Sequence, residues 1–273
     1  MSHAHIELRD ISQSYPRPDG GVTEVLKGVS LTLDQPGFNM LLGPSGCGKS
    51  TLLCMMGGVR PFDVKTPTSG AVTIDGQPCD GPHDDAVMVF QRYANRPDMT
   101  VRENVAFPFS LSLWKQKVPR SQWEPRVDAM LQAVGLTDKR DLYPHALSGG
   151  QNQRVALARA LVLQPRILLM DEPFGALDAQ TREEMQGLLV KLYNIQPCTI
   201  VFVTHDVSEA LLLGDRVLVM STQPASIIED IRITEPRPRD HNWLVGATAQ
   251  ALSNKILAQL HAAPGAAQVR LTV

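Results

Sequence analysis

The sequence predicts an α/β protein: a mostly parallel sheet flanked by helices, with an antiparallel β subdomain at the N-terminus and a helical subdomain inserted part-way along. Three observations predict it. A glycine-rich stretch at 43–51 lies between a short apolar run and an apolar helix start. Further apolar runs at 86–90, 166–170 and 199–203 each end in polar side chains, as buried strands do when their ends carry a site. Residues 92–147 instead show helical spacing, punctuated by Pro108, Pro119 and Pro125.

Taken in order, residues 6–14 alternate apolar Ile6, Leu8 and Ile11 with polar Glu7 and Arg9, the pattern of a half-exposed strand. Residues 16–21 form a Pro/Gly turn and 25–33 a second strand, so an antiparallel sheet is expected beside the core. Tyr15 follows the first strand. Its ring is either a stacking surface for adenine or a strand-end aromatic.

Residues 38–42 are a buried-type strand. Gly43, Pro44, Ser45, Gly46, Cys47, Gly48, Lys49, Ser50 and Thr51 then fit the phosphate-loop pattern of Gly, four residues, Gly-Lys and Ser or Thr. Such a loop turns backbone N–H groups and a helix N-terminus toward an anion. Lys49 is expected to reach the β- and γ-phosphates and the Ser50 hydroxyl to ligate Mg²⁺. Residues 61–69 read as a polar loop, 70–76 as a strand, and 86–90 as a buried strand ending at Gln91 on the γ-phosphate side.

After the helical stretch comes Ser148-Gly149-Gly150-Gln151, opening a helix at 152–163. Ser148 is a helix N-cap, and the two glycines leave bare N–H groups: a plain cap or a second anion site. The strand at 166–170 delivers Asp171 and Glu172, whose burial costs desolvation unless a cation or a role offsets it. In a phosphate-loop protein Asp171 can hold Mg²⁺, and Glu172 can orient or deprotonate a water. Residues 173–178 form a tight loop ending at Asp178, and 181–193 an amphipathic helix. The strand at 199–203 ends in Thr204-His205-Asp206; most isolated histidines are structural, but the place of His205 at the end of a core strand favours a γ-phosphate contact. A helix at 207–213, strands at 216–221 and 226–233, a stiff exposed linker at 235–239 and a helix at 242–263 complete the chain.

The 273 residues are 43% hydrophobic and 20% charged, ordinary values for a soluble globular protein. A net charge of −2 gives no basic footprint for nucleic acid. Cys47, Cys54, Cys79 and Cys198 show no metal-type spacing, which with the lack of a signal segment at 1–7 points to a reduced, cytoplasmic compartment. No run approaches the ~18 apolar residues of a membrane span.

Together the motifs resemble the ATP-binding subunit of an ABC transporter, a P-loop ATPase core. The most specific piece is Leu147-Ser-Gly-Gly-Gln-Asn-Gln-Arg154, similar to that family's signature. The resemblance assigns adenine stacking to Tyr15, ATP contacts to residues 43–51, Gln91, Ser148 to Gln151 and Asp178, and Mg²⁺ contacts to Ser50, Gln91 and Asp171. It makes Glu172, His205 and Lys49 catalytic. Residues 172–178, 204–210 and 233–240 are similar to the nitrate/sulfonate/taurine importer group, from which the long loop at 61–69 and the segment at 93–100 depart.

The resemblance implies an ATP-binding domain over 1–240, with its helical subdomain at about 92–147, and a C-terminal helical extension over 241–273. It implies a head-to-tail dimer sandwiching two ATP molecules, transmembrane permease subunits as partners and, indirectly, a substrate-binding protein. The subunit would sit peripherally on the cytoplasmic face of the inner membrane and power import of a small anion or organic solute. A soluble ABC-type ATPase acting in DNA repair or translation is the alternative, but those would carry coiled coils, zinc-binding cysteines or tandem units.

Overall fold

Side chains of the central strands go alternately to two separate cores, which is why those strands read as near-continuous apolar runs. The computed structural model describes residues 4–60, 67–91 and 94–262. Most of the 61–69 loop, Tyr93 of the unusual 93–100 segment and residues 263–273 of the C-terminal extension therefore lie outside the described residues.

The strands are β1 (Ile6–Pro16), β2 (Val22–Leu33), β3 (Gly37–Leu42), β4 (Ser69–Ile74), β5 (Gln77–Pro78), β6 (Ala86–Val89), β7 (Ile167–Asp171), β8 (Thr199–Thr204), β9 (Arg216–Met220) and β10 (Ile227–Arg232). They form an antiparallel sheet in the order β2-β1-β4-β5 and a larger sheet in the order β10-β9-β3-β8-β7-β6. In the larger sheet β9, β3, β8, β7 and β6 are parallel and β10 closes the edge antiparallel. Phe38, Met40, Leu168, Met170, Ile200 and Phe202 face the core under the helices. Leu41, Ile167, Leu169, Val201 and Val203 face the core shared with the antiparallel sheet. Each such side chain contributes about 1.5–3 kcal/mol by leaving water.

The helices are α1 (Lys49–Met56), α2 (Val101–Ala106), α3 (Ser112–Lys117), α4 (Trp123–Ala133), α5 (Gly149–Leu161), α6 (Ala179–Ile195), α7 (Val207–Leu213), α8 (His241–Leu244) and α9 (Ala247–Ala262). The inserted stretch is helical as expected, but Pro108 breaks the reading of 101–113 into α2, a 3₁₀ turn and α3. The strand ending at Gln91 is only half-buried, because β6 lies at the sheet edge; Phe90 beyond it is exposed.

Two expectations near the C-terminus are corrected. Residues 235–239 are not an exposed linker at their arginines. Arg237 lies 4.1 Å over the Phe38 ring and 4.6 Å over Tyr193, and donates to Asp215 Oδ2 at 2.9 Å. Arg239 is buried, donating to Leu211 O at 2.7 Å and Gly214 O at 2.6 Å. The prolines hold the backbone out while both guanidinium groups fold inward onto carbonyls and rings. The expected helix at 242–263 is likewise two helices, with α8 capped by Asp240 and separated from α9 at Gly246.

The segment beyond Gln91 is organised by a buried amide. Asn104 is fully buried; its Nδ2 donates to the carbonyls of Arg96, Met99 and Thr100 at 3.0 Å, and its Oδ1 accepts from Arg96 N at 2.8 Å. Asn104→Ala leaves those backbone groups unsatisfied and is expected to cost about 1–3 kcal/mol, read as a lower urea midpoint without a change in slope.

Candidate nucleotide site

The site is built where the parallel strands end. The loop after β3 turns into α1 through Gly46 at φ +74° and Gly48 at φ +112°, a backbone that L side chains rarely adopt. At Gly48 a Cβ would also lie 2.8 Å from Val25 Cγ1 and 2.9 Å from Leu26 Cδ2, so the antiparallel sheet packs directly against the loop. Lys49 is buried within it, with Nζ donating to Gly43 O at 2.8 Å and Pro44 O at 2.7 Å. The Cys47 thiol is buried and its pKa is pushed up by that burial, which leaves the backbone of Cys47 as the group able to face an anion.

Across the loop, Ser50 Oγ donates to Asp171 Oδ1 at 2.9 Å. Burial pushes the Asp171 carboxyl up, against the pull of the Ser50 hydrogen bond, and neighbouring Glu172 adds like-charge repulsion. The Ser50 hydroxyl and the desolvated Asp171 carboxylate are a pair of oxygen donors that fits a hard divalent cation.

Glu172 follows the end of β7 with φ +44°, strained for a residue with a side chain, and its N–H is fixed to Val203 O at 3.1 Å. Its Oε2 lies 3.3 Å from His205 Nδ1. That contact holds the Glu172 carboxyl below its usual range and raises the His205 imidazole, in both cases outweighing burial. The imidazole itself is 61% exposed, so it faces open space above the strand ends. Gln91 joins this group: a Cβ at Gly175 would lie 3.6 Å from Gln91 Nε2 and 3.7 Å from Glu172 Oε2.

Tyr15 stands beside the loop, its half-buried ring against the antiparallel-sheet core and its hydroxyl toward Thr51; burial raises the phenol pKa. Residues 148–151 sit apart from all of these. Ser148 and Gln151 form a reciprocal capping box, Gln151 N to Ser148 Oγ at 3.3 Å and Ser148 N to Gln151 Oε1 at 3.0 Å. A cavity of about 200 Å³ beside them is lined by Gly150, Arg154, Thr181 and Glu184 among others, and by no phosphate-loop residue. Asp178 caps α6, accepting from Thr181 N at 3.0 Å and Thr181 Oγ1 at 2.7 Å. Thr181 in turn crowds Gly150, where a Cβ would lie 2.6 Å from its Cγ2.

Sequence reasoning missed the props. Gln223 Nε2 donates to Gly46 O at 2.7 Å and steadies the loop tip. Glu209, buried, accepts from Gln186 Nε2 at 3.0 Å, and Arg182 lies 3.7 Å from Asp206, tying α6 to the His205 loop. A buried carboxylate inside an apolar helix was the available signal for Glu209; a polar turn gave none for Gln223.

A family model described as ABC transporter matches residues 26–175. The nitrate import ATP-binding protein NrtD of Synechocystis sp. is 42% identical over 85% of this chain and 84% of its own length. The taurine import ATP-binding protein TauB of Jannaschia sp. is 42% identical over 84% of this chain and 82% of its own. The bicarbonate transport ATP-binding protein CmpC of Synechococcus elongatus is also 42% identical, over 86% of this chain, but the chain spans about a third of that protein, 34%. The solved dimeric ATP-binding cassette MJ0796, in a post-hydrolysis state bound to ADP and Pi, superposes with a TM-score of 0.70 at 31% identity, covering 85% of this chain and 100% of that one.

The Glu172–His205 contact is directly measurable. In Glu172→Gln the carboxylate that raises the imidazole is gone, so the NMR titration midpoint of His205 is expected to fall toward the ordinary histidine range.

Proposed function

This chain belongs to the ABC transporter family, and from that premise we propose that it hydrolyses ATP to power a bacterial importer of a small anion or organic solute. The observation that carries the mechanism is the meeting of two pairs, Ser50 with Asp171 and Glu172 with His205, beside the phosphate loop. The Lys49 ammonium, now on the Gly43 and Pro44 carbonyls, transfers to phosphate oxygens, a charge-assisted exchange. Glu172, kept ionised by His205, orients and polarises the attacking water, and His205 holds water and γ-phosphate in line. Gln91, beside Glu172, reports the γ-phosphate to the helical subdomain.

Ser50 and Asp171, with Gln91 as a further oxygen donor, are the residues that would hold Mg²⁺, which neutralises phosphate charge when bound. Tyr15 stacks on the adenine from beside the loop. Ser148, Gly149, Gly150 and Gln151 bind the γ-phosphate of a second copy's ATP, with Asp178 alongside. The separation of the signature cavity from this chain's own phosphate loop supports that sandwich. On this reading residues 1–240 carry the ATP chemistry and residues 241–273 form an extension.

No described helix is long and apolar enough to cross a membrane. We assign membrane attachment to permease subunits, with this chain on the cytoplasmic face and a substrate-binding protein acting on the other side. The nitrate, taurine and bicarbonate relatives support a small anionic or zwitterionic cargo.

Glu172→Gln is expected to retain ATP binding while hydrolysis falls by about 10²–10⁴-fold, the usual scale for a general base; phosphate release at the wild-type rate would remove Glu172 from the role. Ser148→Arg is expected to abolish ATP-dependent dimerisation in sedimentation, with the monomer still binding ATP. An unchanged dimer would count against the sandwich.

A further inference from the structure

The C-terminal segment is tied to the switch histidine through one short helix. α7 has seven residues, a length of about 10 Å, and too few to be stable alone. Its N-terminal end is set by Asp206, which accepts from Ser208 N at 2.8 Å and Glu209 N at 3.2 Å, and His205 is the residue just before that cap. Its C-terminal end is set by Arg239. The guanidinium takes the carbonyls of Leu211 and Gly214, the acceptors a helix leaves unsatisfied, and its positive charge suits the negative end of the helix dipole.

Arg239 is itself tightly held. Its Nε donates to Glu235 O at 2.9 Å and its Cζ lies 5.3 Å from the centre of the Trp243 ring. Arg237, two residues earlier, is fixed to Asp215 and stacked on Phe38 and Tyr193. α9 packs on α7 and is joined to β10 by Lys255–Glu229 at 2.9 Å and by Gln259 Nε2 donating to Glu229 Oε1 at 3.2 Å. Burying a guanidinium is costly, and apolar packing alone would have held a tail in place. Here the cost is offset by carbonyls at one end of the helix whose other end carries the site.

We propose that Arg239 is a positioning residue for His205: it clamps the C-terminal carbonyls of α7, and so fixes the orientation in which that helix presents the imidazole to Glu172. The inference rests on the assignment of His205 to the γ-phosphate made above.

The test uses the purified full chain. For Arg239→Leu, kcat of ATP hydrolysis is expected to fall about tenfold while KM for ATP stays within about twofold, the scale of coupling through a packed element. The His205 NMR midpoint should fall as its contact with Glu172 loosens. Arg239→Lys, which restores one cation–carbonyl bond, should recover part of both. An unchanged kcat and midpoint in folded Arg239→Leu would overturn the proposal. If that variant does not fold, Trp243→Ala loosens the guanidinium without stranding the carbonyls. It should move the midpoint in the same direction by less, and no movement would overturn the proposal equally. His205→Ala separates the two ideas. Wild-type hydrolysis in it would remove the catalytic assignment of His205, while the NMR shift would still decide whether the tail orients the imidazole.

Discussion

The strands β3, β8, β7 and β6 end level with one another, and the candidate site depends on that register. Leu42 pairs with Thr204, Asp171 with Val203, and Val89 with Met170. The phosphate loop, His205, Glu172 and Gln91 therefore leave the sheet at one edge within a residue or two of each other. Because both faces of β3, β8 and β7 are buried, a slip of one residue would exchange the two cores and strand their side chains on the wrong side. The burial that stabilises the sheet is thus also what aligns the chemistry.

Electrostatics at that edge are arranged by neighbours rather than by solvent. Asp171 and Glu172 are adjacent carboxyls pushed in opposite directions, one up by desolvation, the other down by His205. The Glu172–His205 pair has a defined pH window. The histidine contribution is fully present below the ordinary histidine pKa and is lost as pH rises through the raised value. The glutamate contribution is present above the ordinary carboxylate pKa and is lost as pH falls through the lowered one. The pair is complete only between them.

Much of this was legible in the residues because it is local. The phosphate loop needs glycines where φ is positive, α7 runs from 207 to 213 as its pattern indicates, and β3 and β8 are largely apolar runs. What was illegible is what distant residues decide. The exposure of β6 follows from its place at the sheet edge, which its own four residues do not encode. Arg237 and Arg239, flanked by prolines, resemble a solvated linker until Phe38, Tyr193, Leu211 and Gly214 supply their partners. Residues 148–151 were ambiguous between a helix cap and an anion site; the capping box is formed, with open space beside Gly149 and the Thr181 side chain packed against Gly150.

The strand order has a consequence for how the chain is made. β3 is flanked by β8 and β9, so both of its sheet neighbours come from the last third of the sequence. On a ribosome the phosphate loop emerges early, next to a strand whose two edges and helix-side face wait for residues not yet synthesised. Such long-range parallel pairing folds slowly and leaves apolar surface uncovered meanwhile. The helical insertion lengthens that wait, and the nascent chain must be kept from aggregating until β9 arrives to seal the sheet.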